Sequence, residues 1–134
     1  VKRPEIVRLI TDKSEDLVRS SSNVDPSELK PQLWVNYVRI TFVNKQSQER
    51  LTIDTGLHFV DEQRKVEYFG LVIAEVKRGS GRDRSPFITL MRNNFIREES
   101  ISKYCLGVIS LHPELKSNRF KPTILYISKL LKAS

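Results

Sequence analysis

The stretch Leu71-Val72-Ile73-Ala74-Glu75-Val76-Lys77 is apolar until its charged end and rich in β-branched side chains, a pattern that predicts a strand. Successive side chains on a strand point to opposite faces. Leu71, Ile73, Glu75 and Lys77 then share one face, and Val72, Ala74 and Val76 share the other. Two stretches upstream repeat the pattern. In residues 34–43, Val38, Ile40 and Phe42 lie opposite to Tyr37, Arg39 and Thr41. In residues 49–55, Leu51 and Ile53 lie opposite to Arg50, Thr52 and Asp54. The polar run Asn44-Lys45-Gln46-Ser47-Gln48 predicts a hairpin loop between them. Gly56 is expected to end or bend the second strand, and residues 57–69 to hold a short strand and a turn.

The rest of the chain has helical spacing. Pro4 suits a first helical position, and Ile6, Leu9 and Ile10, then Leu17 and Val18, predict one or two helices over residues 4–20. A loop and a short helical turn at 26–30 follow. Residues 78–85 form a basic, Gly-containing loop without the lysine-hydroxyl ending of a P-loop. Ser85 and Pro86 predict a capped helix to about Phe95, with Phe87, Ile88, Leu90, Met91 and Phe95 as a core stripe. Residues 98–107 lead into another helix, ended by Pro113. Lys121-Pro122 opens a last one carrying Ile124, Leu125, Ile127, Leu130 and Leu131. The expected class is α+β: one domain over residues 1–134, an antiparallel sheet flanked by helices. The helices are expected to cover the apolar face and leave the charged face to line a groove or tunnel.

Composition narrows the function. Hydrophobic residues make up 39% of the 134, enough for a core, and no apolar run approaches the ~20 residues that span a bilayer. No signal peptide is visible, and the start at Val1 suggests that an upstream segment is missing. The single cysteine, Cys105, excludes an internal disulfide and a multi-cysteine zinc site. It reads as a small buried hydrophobe in a reducing compartment, so a cytoplasmic location is expected. The net charge of +7 favours anionic partners. Nucleic acid ranks low among them, because only Tyr37 joins the cations as an aromatic platform.

One face of the three strands carries Arg39, then Arg50 with Asp54, then Glu75 with Lys77. It reads either as a solvated outer face or as a ligand groove. Polyphosphate would need several fixed cations, with Arg forking and Lys acting as a point charge. A carboxylate among them makes sense if it holds a divalent metal that bridges phosphate oxygens. Glu75 is the candidate; its other reading is an ion pair with Lys77 or a neighbouring arginine.

Four segments occur in order: Tyr37-Val38-Arg39-Ile40, Glu49-Arg50-Leu51-Thr52-Ile53-Asp54, Glu75-Val76-Lys77 and Ser102-Lys103-Tyr104-Cys105. Together they resemble the C-terminal half of the VTC domain. That is the polyphosphate polymerase domain of the vacuolar transporter chaperone complex and its bacterial relatives, within the triphosphate tunnel metalloenzymes. The resemblance covers residues 37–107 and extends to about 125. It implies a closed antiparallel β-tunnel gripping a tri- or polyphosphate. It further implies Arg39, Arg50 and Lys77 as phosphate ligands and Glu75 as a ligand of Mn²⁺ or Mg²⁺. Lys103, the residue implied to be catalytic, would contact phosphate with Ser102 at the tunnel end and support transfer from a nucleoside triphosphate to the growing chain. Family members begin with a strand carrying a Glu-x-Lys-type motif, which nothing before Trp34 matches. The chain is therefore expected to form part of a tunnel, completed by an upstream half or by a second copy in a homodimer, and to turn over slightly or not at all alone. The alternative function is a non-catalytic anion-binding or protein-interaction module.

Overall fold

The computed structural model describes residues 12–79 and 85–132. The expected helix over residues 4–11 and the tip of the basic loop, 80–84, lie outside them.

Strands β1 (Trp34–Val43) and β2 (Glu49–Val60) form the predicted hairpin. The Asn44 N–H donates to the Glu49 carbonyl at 2.9 Å, and the Asn44 side chain accepts from the Gln46 N–H at 2.9 Å. This closure sets a register with Arg39 opposite Asp54 and Thr41 opposite Thr52. β3 (Lys65–Glu67) and β4 (Ile73–Arg78) pair with β2 at its two ends, both antiparallel. Among the described residues the fold is α+β, a four-stranded antiparallel sheet with four α-helices. Among the described residues the sheet is not closed into a tunnel, and β1 is an open edge.

Gly56 bends β2 rather than ending it. Asn36 pairs with His58 but Val38 with Thr55, so one residue of β1 faces two of β2. Gly56 has φ +63 there, a left-handed conformation that glycine adopts without steric penalty, and the result is a β-bulge. One extra residue reverses the alternation. Thr52 and Asp54 before the bulge, and Leu57 and Phe59 after it, consequently face the same side, and all four are buried. The core forms at that end of the charged face, from Leu57, Phe59, Leu71, Leu106, Leu111 and Ile127. The helices therefore do not cover the face of Val38, Ile40 and Phe42, contrary to expectation, and Val38 is 65% exposed.

Two helices supply that core. α3 (Lys103–Leu111) begins where Ser102 Oγ accepts from the Cys105 N–H at 3.3 Å, a serine N-cap. It lies against Phe59 at Gly107, where an added Cβ would come within 2.5 Å of the ring, so only glycine allows this approach. The far end of α3 is tied to the β2–β3 turn. The Arg64 guanidinium donates to the Leu111 carbonyl, and His112 Nε2 lies 3.2 Å from Asp61 Oδ2. α4 (Lys121–Lys132) adds Ile127, with Leu131 packed beside it.

The other two helices lie outside the core. α1 (Asp12–Ser21) agrees with the second half of the expected N-terminal helix. α2 (Pro86–Asn93) starts at the Ser85 cap as expected, but none of its residues is buried, and Phe95 just beyond it is 93% exposed. The expected core stripe fails because β4 pairs with the opposite end of β2 from Phe59, and the chain leaves β4 at the hairpin end. Cys105 is half-buried. Among the described residues no helix is long and apolar enough to cross a membrane.

Candidate functional site

Asp54 is 1% exposed. A carboxylate at that depth is tolerated only when it is paired and hydrogen-bonded. Arg39 reaches it across the hairpin in a two-pronged contact, Nε to Oδ1 at 2.6 Å and Nη2 to Oδ2 at 2.7 Å. The Lys103 ammonium approaches Oδ2 from the start of α3 at 2.8 Å, with 17% of its side chain exposed. The Arg39 hydrogen bonds, helped by Lys103, outweigh burial and hold the Asp54 carboxyl down at about 2. The same bonds push the Arg39 guanidinium up. Both cations also lie over the Tyr37 ring, at 5.0 and 5.5 Å from its centre. Two cations and one carboxylate leave this cluster one net positive charge, carried by groups in defined positions.

The outer end of the same face is looser. Glu75 lies opposite Thr52, and Lys77 opposite Arg50. Lys77 Nζ sits 3.2 Å from Glu75 Oε1, but its side chain is 63% exposed, where an ion pair is worth about 0–1 kcal/mol. Arg50 has no ion-pair partner among the described residues. Like charges directly across a strand pair are unfavourable by some tenths of a kcal/mol, so the facing Arg50 and Lys77 would gain from an anion between them. From Asp54 to Arg50 the face runs ~13 Å at about 3.3 Å per residue.

Arg39, Arg50, Glu75 and Lys77 thus share one face, and α3 brings Lys103 onto it. Ser102 Oγ is engaged by its own helix as the N-cap. Glu75 is paired with Lys77, and the buried carboxylate of the face, Asp54, already holds two cations. Among the described residues no three His, Cys, Asp or Glu side chains converge as metal ligands. This donor set does not fit a protein-caged metal. It fits a hydrated divalent cation that takes one carboxylate from the protein and its other ligands from phosphate and water.

Asp54 is the residue that reading the sequence undervalued. Alternation put it on the charged face, but only the hairpin register puts it opposite Arg39. Counting back from the Asn44–Glu49 closure would have found it. A groove of about 480 Å³ between α3 and α4, lined by Ile101, Ser102, Leu106, Ile109, Phe120 and Ile124, contains none of these cations.

The family model described as the VTC domain matches residues 4–112. No curated protein and no solved structure matches the chain.

Proposed function

The chain belongs to the VTC domain family, and from that premise we propose that its charged sheet face binds a triphosphate or polyphosphate chain. The observation that carries this reading is the strand register. It gathers Arg39, Arg50 and Lys77 on one face, with Lys103 arriving from α3. In this proposal Arg39 and Lys103 engage one part of the phosphate chain through directed N–H groups, and Arg50 and Lys77 engage another as more mobile charges. Ser102 fixes the start of α3, and hence Lys103, by accepting the Cys105 N–H at its Oγ, and its O–H is left as the proposed donor to phosphate. Glu75 is the proposed ligand for Mn²⁺ or Mg²⁺, and a bound divalent cation would neutralise phosphate oxygens there.

The proposed reaction of the complete domain is polyphosphate synthesis. A terminal oxygen of the growing chain forms a bond to the γ-phosphorus of a nucleoside triphosphate, and the bond from that phosphorus to the β,γ-bridging oxygen breaks, releasing the nucleoside diphosphate. Lys103 is the proposed catalytic residue, stabilising charge on the transferred group, because such transfer depends mainly on positioning and electrostatics. The sheet is open, so for the 134-residue chain the proposal is binding, with turnover assigned to a closed tunnel.

Calorimetry tests the binding. Tripolyphosphate is expected to bind more tightly than monophosphate, and Arg50→Ala to lose about 1–3 kcal/mol, the scale of charged hydrogen bonds. Equal affinity for the two anions would overturn the reading.

A further inference from the structure

We infer that Asp54 is the positioning residue of this anion site: it holds the Arg39 fork and the Lys103 ammonium side by side, so that recognition depends on their orientation and not on charge alone. The inference rests on the phosphate-binding reading above.

Three features carry it. First, Asp54 is almost wholly buried, yet both its oxygens are directed at cations that remain partly open to solvent. A carboxylate there subtracts one positive charge from an anion site, which Coulomb's law alone disfavours. Its presence is understandable if fixing the two donors is worth more than the charge it cancels. Second, the three groups come from three elements, β1, β2 and α3, so Asp54 joins the parts of the chain that must stay in register for the donors to converge. Third, the Arg39 contact takes Nε and Nη2, leaving Nη1 outside the carboxylate fork. The Lys103 ammonium spends one of its three N–H groups on Oδ2. Each cation is thus held by some donors while others remain for a ligand. The Tyr37 ring beside both limits how far either can swing.

Charge and orientation predict opposite signs for one substitution. Asp54→Asn removes a negative charge next to the site, so a site governed by charge binds tripolyphosphate more tightly. A site governed by orientation binds it at least tenfold more weakly, because Arg39 and Lys103 lose their common anchor. Arg39→Lys makes the second test and keeps the net charge. A lysine cannot form the two-pronged contact, so the orientation account again expects at least a tenfold loss and the charge account none.

Calorimetry with tripolyphosphate on the full chain, at a temperature well below each variant's melting midpoint, reads both. Nitrogen NMR adds a readout at the site itself. The Arg39 Nε–H is expected to exchange slowly with water in the wild type and quickly in Asp54→Asn, while Arg50 is unchanged in both. Weakened binding by folded Asp54→Asn and by Arg39→Lys supports the inference. If Asp54→Asn does not fold, Asp54→Glu takes its place: it keeps the charge and displaces the carboxylate by one methylene, so the orientation account expects weaker binding and the charge account no change. Unchanged or tighter binding by the folded variants, with a wild type that binds, reduces Asp54 to a structural counter-ion and leaves the phosphate reading standing. A wild type that does not bind tripolyphosphate overturns both.

Discussion

The two ends of the charged face use the same residue types to different effect. At the inner end an arginine, a lysine and an aspartate close around one another at 2.6–2.8 Å, with the carboxylate buried. At the outer end a lysine and a glutamate meet at 3.2 Å in solvent, with an arginine beside them. Burial makes the difference. Excluded water strengthens each contact of the inner cluster and makes the loss of either partner expensive, whereas water screens the outer pair almost completely. Stability is therefore invested at the inner end, and the cations of the outer end are only weakly held.

The largest expected effect breaks the inner cluster. Arg39→Ala leaves a buried carboxylate with Lys103 as its one remaining cation. Removing a partner from a buried pair costs about 3–5 kcal/mol. With Lys103 in place and Arg39 itself partly exposed, the expected loss is about 2–3 kcal/mol in urea unfolding. Lys77→Ala at the outer end is expected to change stability by less than about 0.5 kcal/mol. Equal losses for the two variants would erase the contrast between the ends.

Acid titration probes the same contrast without mutation. The folded Asp54 carboxyl is held at about 2, below its ordinary 3.8. The unfolded chain therefore takes up this proton first as the pH falls. The stabilisation is fully present above about pH 4 and is lost as the pH falls from there through about 2. A depression of this size corresponds to roughly 2 kcal/mol. Stability followed between pH 5 and pH 2 is expected to fall by about that much from Asp54 alone, and part of the fall is expected to vanish in Arg39→Ala. An identical acid profile in that variant would mean that Arg39 does not depress Asp54.

The sequence disclosed the strands and their faces well and the location of the core badly. Val38, Ile40 and Phe42 alternate as a core face should, yet they are exposed. The cause is a single residue. Without the bulge at Gly56, Leu57 and Phe59 would continue the face of Leu51 and Ile53, and helices drawn to them would cover the apolar side. Period-two reading gives a face up to the bulge but has no means of counting through it. The cations Arg39, Arg50 and Lys77 were legible because all three lie on the hairpin side of the bulge, where β1, β2 and β4 keep regular register. The Lys103–Asp54 contact joins residues 49 positions apart in sequence (103 − 54), through a helix whose approach depends on Gly107. No local pattern encodes that contact. α2 was misjudged for a related reason: its apolar spacing is genuine, but it follows β4 at the end of the sheet remote from the core.

The smallest expected effect concerns Glu75, and it sharpens the description of the outer end. Glu75→Gln keeps the shape of the side chain and removes the charge that faces Lys77 and that would hold a divalent cation. Because the pair is solvent-exposed, the melting midpoint is expected to shift by about a degree or two at most. Tripolyphosphate binding without metal is expected to persist or tighten slightly, since the substitution removes a negative charge and frees Lys77. Any enhancement of that binding by Mn²⁺ or Mg²⁺ is expected to disappear. Three measurements on one variant, namely the midpoint and binding with and without metal, then separate the two roles of this carboxylate. A lowered midpoint with an unchanged metal response would make Glu75 a structural partner of Lys77, and the two ends of the face would be alike after all. A preserved midpoint with a lost metal response would leave the inner cluster as the anchored end and the outer pair as the end that reorganises around its ligand.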